Sequence, residues 1–434
     1  MTARMERARL FELAGRRSVR SAFAALCVCF HLVMFWRAGH VRLGLPFDSA
    51  PDDAPAYSDI HSPATRGYPR QPHHWSRMIF SRWDAQHYIG TATRGLTGCP
   101  TTADTTDLSY LDCGLGWLPA YGFTGRVLAG MTGMAADVAL ATISMLALFG
   151  ICLLLTGPLV ASRLGVVESY AAVVALNLFP SAFHLVAPYA ESLTLLCAIG
   201  AWWALSKDRW LAASLLVGAA TALKVQASTF ALAVGCSLLY MAWSKRKAGD
   251  KRWWLPLLGG PVCVWGQIAT MLALQIETGT WRSFLRARDA FGDVHHWHRI
   301  IDVQNYIYGI HSQHHDMVVL AGVVAVMLFT AKRVLATFPK PEAIFLLVSS
   351  IAVLPIAVVA PLHWWGMNRY LLACPLVFLG AGVMARRDRV LLAVWLVFCV
   401  AMYWHVELCS YITHGNGQVC PCLGGVEFSM PYGS

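Results

Sequence analysis

Apolar runs of roughly 17 to 25 residues recur along this chain, separated by short basic turns, and few folds are compatible with that spacing. A helix rises about 1.5 Å per residue, so such runs match the roughly 30 Å hydrocarbon core of a bilayer. Barrel strands would alternate apolar and polar residues, whereas Leu140 to Val160 is largely apolar on every face. Charged residues make up 13% of the 434 positions. That is too few to cover a water-facing surface, where about a quarter is usual. The sequence predicts an all-α, polytopic transmembrane protein.

About eleven spans are expected, near 19–36, 136–160, 166–188, 189–206, 210–225, 226–243, 253–276, 317–336, 343–361, 369–385 and 389–407. Arg4, Arg7, Arg9, Arg16, Arg17 and Arg20 lead into the first, which places the N-terminus in the cytoplasm. That span lacks a small-residue cleavage site and reads as a retained anchor. Alternating sides then puts Arg163, Lys207, Arg209, the Lys245–Arg252 cluster, Lys332, Arg333, Lys340, Arg386, Arg387 and Arg389 in cytoplasmic turns. Arg282, Arg286, Arg288 and Arg299 fall outside and run against the pattern. The expected organisation is a basic N-terminus (1–18), a first span (19–36), a large external loop (37–135), a helical bundle (136–409) carrying an external loop at 277–316, and an external tail (410–434). Segment 116–133 is Gly-rich and amphipathic, which fits an interfacial or re-entrant helix.

The net charge of +10 is spread over turns rather than gathered in a patch, so no nucleic-acid partner is expected. The 13 cysteines show no metal-ligand spacing. Eight lie in apolar runs as small core residues. Cys99, Cys113, Cys409, Cys420 and Cys422 fall on the external side, where an oxidising compartment would permit disulfides.

The external loop holds Arg82-Trp83-Asp84-Ala85-Gln86-His87-Tyr88. Trp83 and Tyr88 are amphipathic rings of the kind that settle at a membrane interface. A carboxylate there can take a proton from a sugar hydroxyl as that oxygen attacks an activated carbon. It can equally cap a helix beginning at Ala85. Glu191 follows Tyr189 at a break marked by Pro188, so it either lines a cavity or satisfies a helix end. His184 reads as a satisfied intramembrane histidine. Asp289, Asp293, His295, His296, His298, His311, His314 and His315 crowd the loop at 277–316. No Cys or Glu completes a ligand set there, so a solvated acceptor-binding loop is favoured over a metal site.

Four segments carry a resemblance. Arg82 to Gly95 resembles the W-D-x-x-(Y/H/F)-(Y/F)-x-x-I-A-x-x-G-Y segment of the PIG-V-like GPI mannosyltransferases and their bacterial relatives in the GT-C glycosyltransferase superfamily. Trp117-Leu118-Pro119-Ala120-Tyr121 resembles their F-F-P-L-(Y/L)-P. Asn177 to Phe183, with Ala187 to Leu193, is similar to N-P-x-x-(I/F)-F-x-x-x-Y-(S/T)-E-S-L, and Arg369-Tyr370-Leu371-Leu372 with Pro375 to R-Y-(L/I)-L-x-x-x-P. The matches fall in family order. Gln86 stands where many such enzymes have a second acid, and Lys224-Val225-Gln226 where relatives have Thr-Arg-x-x-Gly.

The resemblance implies a GT-C-like membrane enzyme that transfers a sugar, mannose foremost, from a polyprenyl-phosphate donor with inversion. No cofactor is expected, since the donor arrives on a lipid, no nucleotide loop is visible and a metal site is not supported. The acceptor would be a hydroxyl of a glycan, glycolipid or protein on the external or luminal side. Asp84 would be the general base, with Arg369 and Lys224 at the donor phosphate. Trp83, His87, Tyr88, Tyr189, Glu191 and His363 would contact substrate. Arg369 and Lys224 each have a plainer reading as cations snorkelling at helix ends. A bacterial inner membrane fits the compact chain, without a retention signal, better than an ER membrane. A transporter or lipid flippase is the alternative, disfavoured by the asymmetric first loop and the absence of repeated halves.

Overall fold

The computed structural model describes residues 16–43, 84–96, 115–290, 306, 314–359 and 367–404. Every regular element among them is helical. Four-residue and 3-10 turns aside, they are α1 (Arg17–Leu43), α2 (Asp84–Arg94), α3 (Ala120–Thr132), α4 (Ala136–Leu155), α5 (Val166–Leu178), α6 (Glu191–Leu205), α7 (Trp210–Leu223), α8 (Ser228–Lys247), α9 (Trp265–Thr278), α10 (Ser283–Ala290), α11 (His314–Thr337), α12 (Lys340–Val359), α13 (Met367–Leu371), α14 (Pro375–Arg387) and α15 (Arg389–Ala401).

The helices are apolar on both faces, as the sequence reading required. In α4, Ala139, Leu140, Leu148, Ile151 and Cys152 are buried against neighbours, yet Leu146 on the opposite face is exposed. Leu26, Leu239, Leu328 and Val397 are likewise exposed, Leu328 to 81%. A water-soluble fold would leave such surface at a heavy cost, whereas a lipid solvent does not. By length and composition six helical stretches can cross a membrane: Arg17–Arg37, Ala136–Ala161, Val225–Lys247, Leu255–Thr278, His315–Thr337 and Lys340–Val358. The other five expected segments also hold helix, but α5, α14 and α15 have 13 residues, α7 has 14 and α6 has 15.

Two expected spans are divided, 369–385 between α13 and α14 and 166–188 within itself. The segment 166–188 is helical to Leu178, then breaks and turns through a 3-10 element at Ala182–Leu185. Pro180 is the cause. It supplies no N–H and pushes the preceding residue out of the α region, and Phe179 duly sits at φ −57°, ψ 141°.

The main packing pairs are α1 with α4, α4 with α6, α6 with α7, α7 with α9, α8 with α12, α5 with α14, and α14 with α11. Two polar networks tie the apolar body together. His31 on α1 lies 2.9 Å by Nδ1 from the Tyr403 hydroxyl and 3.0 Å by Nε2 from Asn177 Oδ1 on α5. The amide oxygen can only accept, so Nε2 donates and Nδ1 receives the tyrosine proton. Trp202 near the end of α6 donates to Glu342 at 3.1 Å, and Arg163 pairs with the same carboxylate at 3.4 Å. That second network lies at the end of α6 followed by Lys207 and Arg209. Glu191 lies at the other end.

The small α2–α3 unit packs on α4. Tyr121 donates to the Leu140 carbonyl at 2.8 Å and sits 2.6 Å from Ser144, which in turn donates to the Tyr189 carbonyl at 3.0 Å. Gly122 permits the close approach of α2, since a Cβ there would meet Thr91 at 2.6 Å.

Candidate functional site

At the end of the bundle opposite the basic turns, four charged side chains from four separate elements meet. Asp84 is the first residue of α2 and Glu191 the first of α6. Both carboxylates therefore stand at the positive end of a helix dipole. Lys224 follows the last residue of α7, at the negative end, with extended backbone (φ −155°, ψ 138°). Arg369 sits in the short helix α13. The local sequence thus pre-sorts the charges before any pair forms.

The pairs run in a line. Arg369 Nη1 donates to Asp84 Oδ2 at 2.5 Å. Its Nε lies 3.1 Å from Glu191 Oε1, and Lys224 Nζ donates to that same oxygen at 2.5 Å. Glu191 Oε2 is buried without a hydrogen-bond partner among the described residues. Aromatic rings wall the cluster. The Arg369 guanidinium lies 5.6 Å from the ring centres of Tyr189 and Tyr370, and Lys224 Nζ lies 5.0 Å from that of Tyr370. Tyr88 meets Tyr121 edge-on at 5.1 Å and Tyr189 at 6.5 Å.

His87 stacks on Trp117 with ring centres 3.5 Å apart and 11° between planes. The Trp117 side chain also hydrogen-bonds the Asp84 carboxylate. Burial penalises the Asp84 anion, but the Arg369 guanidinium overrides it and holds the carboxyl below the ordinary range. Burial carries His87 the other way, to a pKa of about 4, against the pull of Asp84. At neutral pH the imidazole is uncharged.

No known protein family, curated protein or solved structure matches the chain.

Of the residues singled out in the sequence, Asp84, His87, Tyr88, Tyr189, Glu191, Lys224 and Arg369 converge here. Trp83 and His363 lie outside the described residues, as do most of the histidines at 295–314. His184 is hydrogen-bonded at 3.0 Å to the Ser181 carbonyl and stacked on Phe183, so it is a satisfied buried histidine. Among the described residues no group of three or more His, Cys, Asp or Glu could hold a metal ion.

Sequence reasoning missed several members. Trp117 was visible as a motif residue, but its bond to Asp84 spans a stretch with no regular spacing. Asp316 accepts from Asn368 Nδ2 at 2.5 Å, and His315 Nε2 lies 3.4 Å from the same carboxylate. Asn368 is adjacent to Arg369, which is the one signal that could have marked it. Ser181 and Gln226 fell inside motif segments, but nothing in the sequence tied them to the backbone beside Arg369.

With two cations, two anions and a ring of tyrosines at the mouth of an apolar bundle, the arrangement can accept an anionic head group. It can also exchange its internal ion pairs for that ligand.

Proposed function

We propose that this chain is an integral membrane glycosyltransferase of the GT-C type. It has about eleven spans with the N-terminus inside and the site outside, and uses a polyprenyl-phosphate sugar, mannose foremost, as donor. The observation that carries the reading is the joining of Asp84 to Arg369, and of Arg369 through Glu191 to Lys224, in one half-buried cluster.

In this reading the donor phosphate takes Arg369 and Lys224, whose charges stabilise the negative charge that grows as the sugar leaves. Losing its guanidinium partner, Asp84 becomes a stronger base and accepts the proton of the acceptor hydroxyl. The hydroxyl oxygen forms the new bond to the anomeric carbon from the face opposite the phosphate. The old bond breaks with its electron pair on the phosphate oxygen, so the configuration inverts. Neutral His87, stacked on Trp117, would help the indole hold the Asp84 carboxylate in line.

The test is transfer of radiolabelled mannose from polyprenyl-phosphate mannose to a panel of lipid and glycan acceptors, with wild type beside Asp84→Asn in detergent. Label moved by wild type and lost in the variant supports the reading. Turnover retained by Asp84→Asn removes the proposed base, and label moved by neither counts against this donor class.

A further inference from the structure

Arg369 lies on α13, a helix of five residues. A helix that short does not hold itself, since isolated helices below about 12 to 15 residues are marginal. Pro375 opens the next helix after only three intervening residues. The direction of the Arg369 side chain is therefore set from outside its own element.

The peptide carbonyls on both sides of Arg369 are held by side chains from elsewhere. Ser181 Oγ, in the Pro180 break between α5 and α6, donates to the Asn368 carbonyl at 2.8 Å. Gln226 Nε2 donates to the Tyr370 carbonyl at 2.6 Å. Gln226 belongs to the 3-10 turn Val225–Ala227, which begins directly after Lys224. From a third side, Asp316 at the start of α11 accepts from the Asn368 side chain. Ser181, Gln226, Asn368 and Asp316 are all buried.

We propose that Ser181 and Gln226 are positioning residues which fix the Arg369 guanidinium, and that Gln226 locks Arg369 and Lys224 into one rigid cationic unit for a single phosphate group. The proposal rests on reading Arg369 as a phosphate ligand. Two features separate it from general packing. Both donors reach residues that flank the same arginine, and one sits two residues from the second cation. A buried serine or glutamine serving only the core could satisfy itself on any nearby carbonyl.

The experiment measures undecaprenyl phosphate binding to the purified full chain in detergent, for Ser181→Ala and Gln226→Leu, each alone and combined with Arg369→Ala. With Arg369 present, each substitution should weaken binding about five- to tenfold, the scale of one lost hydrogen bond. In the Arg369→Ala background the same changes should alter binding less than about twofold, because the arginine they position is gone and Lys224 is held by Glu191 rather than by either donor. Equal losses in both backgrounds, or no loss in either, would overturn the proposal. If wild type and Arg369→Ala bind alike, the phosphate reading fails separately. The melting temperatures of Gln226→Leu, Asp84→Asn and the double variant then decide the positioning. Non-additive shifts support the hold of Gln226 on the Arg369–Asp84 pair, and additive shifts reject it.

Discussion

Asp84 and His87 stand one helical turn apart, and burial acts on them in opposite senses. For Asp84 the guanidinium of Arg369 wins over desolvation, so its anion is stabilising at neutral pH and that contribution is lost only in strong acid. Replacing it by Asn should abolish transfer in the radiolabel assay while the melting temperature falls by a few degrees at most. His87 follows the reverse course. An unfolded chain protonates the imidazole below its ordinary pKa of 6.5, whereas the folded chain resists until about 4. Stability linked to His87 is therefore complete above pH 6.5 and declines as pH falls toward 4, by about 3 kcal/mol in all. Thermal melting across that window should show the decline in wild type and a flatter profile in His87→Gln. A His87→Gln profile as steep as wild type would assign the effect to another group.

At the scale of elements, the sequence spoke clearly where periodicity and length sufficed and fell silent where a tertiary contact decided. The eleven apolar segments all contain helix because burial on every side leaves backbone groups no partners but their own. Their ends were harder to read. The span at 166–188 looked continuous because Phe179 and Ser181 to Val186 are mostly apolar, and the single residue Pro180 divides it. The site was legible in its charged members, which stand out against an apolar background. Trp117 was legible only as a motif residue, and Asn368 and Asp316 not at all, since only the fold brings the indole to Asp84 and joins Asp316 to the neighbour of Arg369. The crossing of α7 and α9 was invisible as well. Gly266 abuts the Gly218 carbonyl so closely that an added Cβ would collide with backbone. Gly266→Ala should accordingly destabilise the protein by roughly 1–3 kcal/mol through overpacking, read as a lower melting temperature in detergent. An unchanged melting temperature would mean that the two helices separate without cost.

For the whole molecule, the two ends of the bundle differ in kind. Basic side chains follow α6 and α8 at one end, and the ion cluster with its tyrosines occupies the other. Alkaline phosphatase fused after Thr132 in a bacterial host should be active, and fused after Lys247 inactive, if the cluster faces outward. The opposite pattern would invert the orientation proposed above. The short helices add a mechanical consequence. At about 1.5 Å per residue, the 13 to 15 residues of α5, α6, α7 and α14 span only about 20 Å, some 10 Å less than the hydrocarbon slab. Glu191 and Lys224 bound two of these helices, so in the orientation proposed above the cluster would sit in a dent below the bilayer surface. Lipid around that dent has to thin or tilt to meet it. A head group carried on a long isoprenoid tail would then reach the charges by sliding sideways at mid-leaflet depth, without lifting out of the bilayer. Activity in reconstituted membranes should in consequence depend on acyl-chain length, and fall as the bilayer is made thicker.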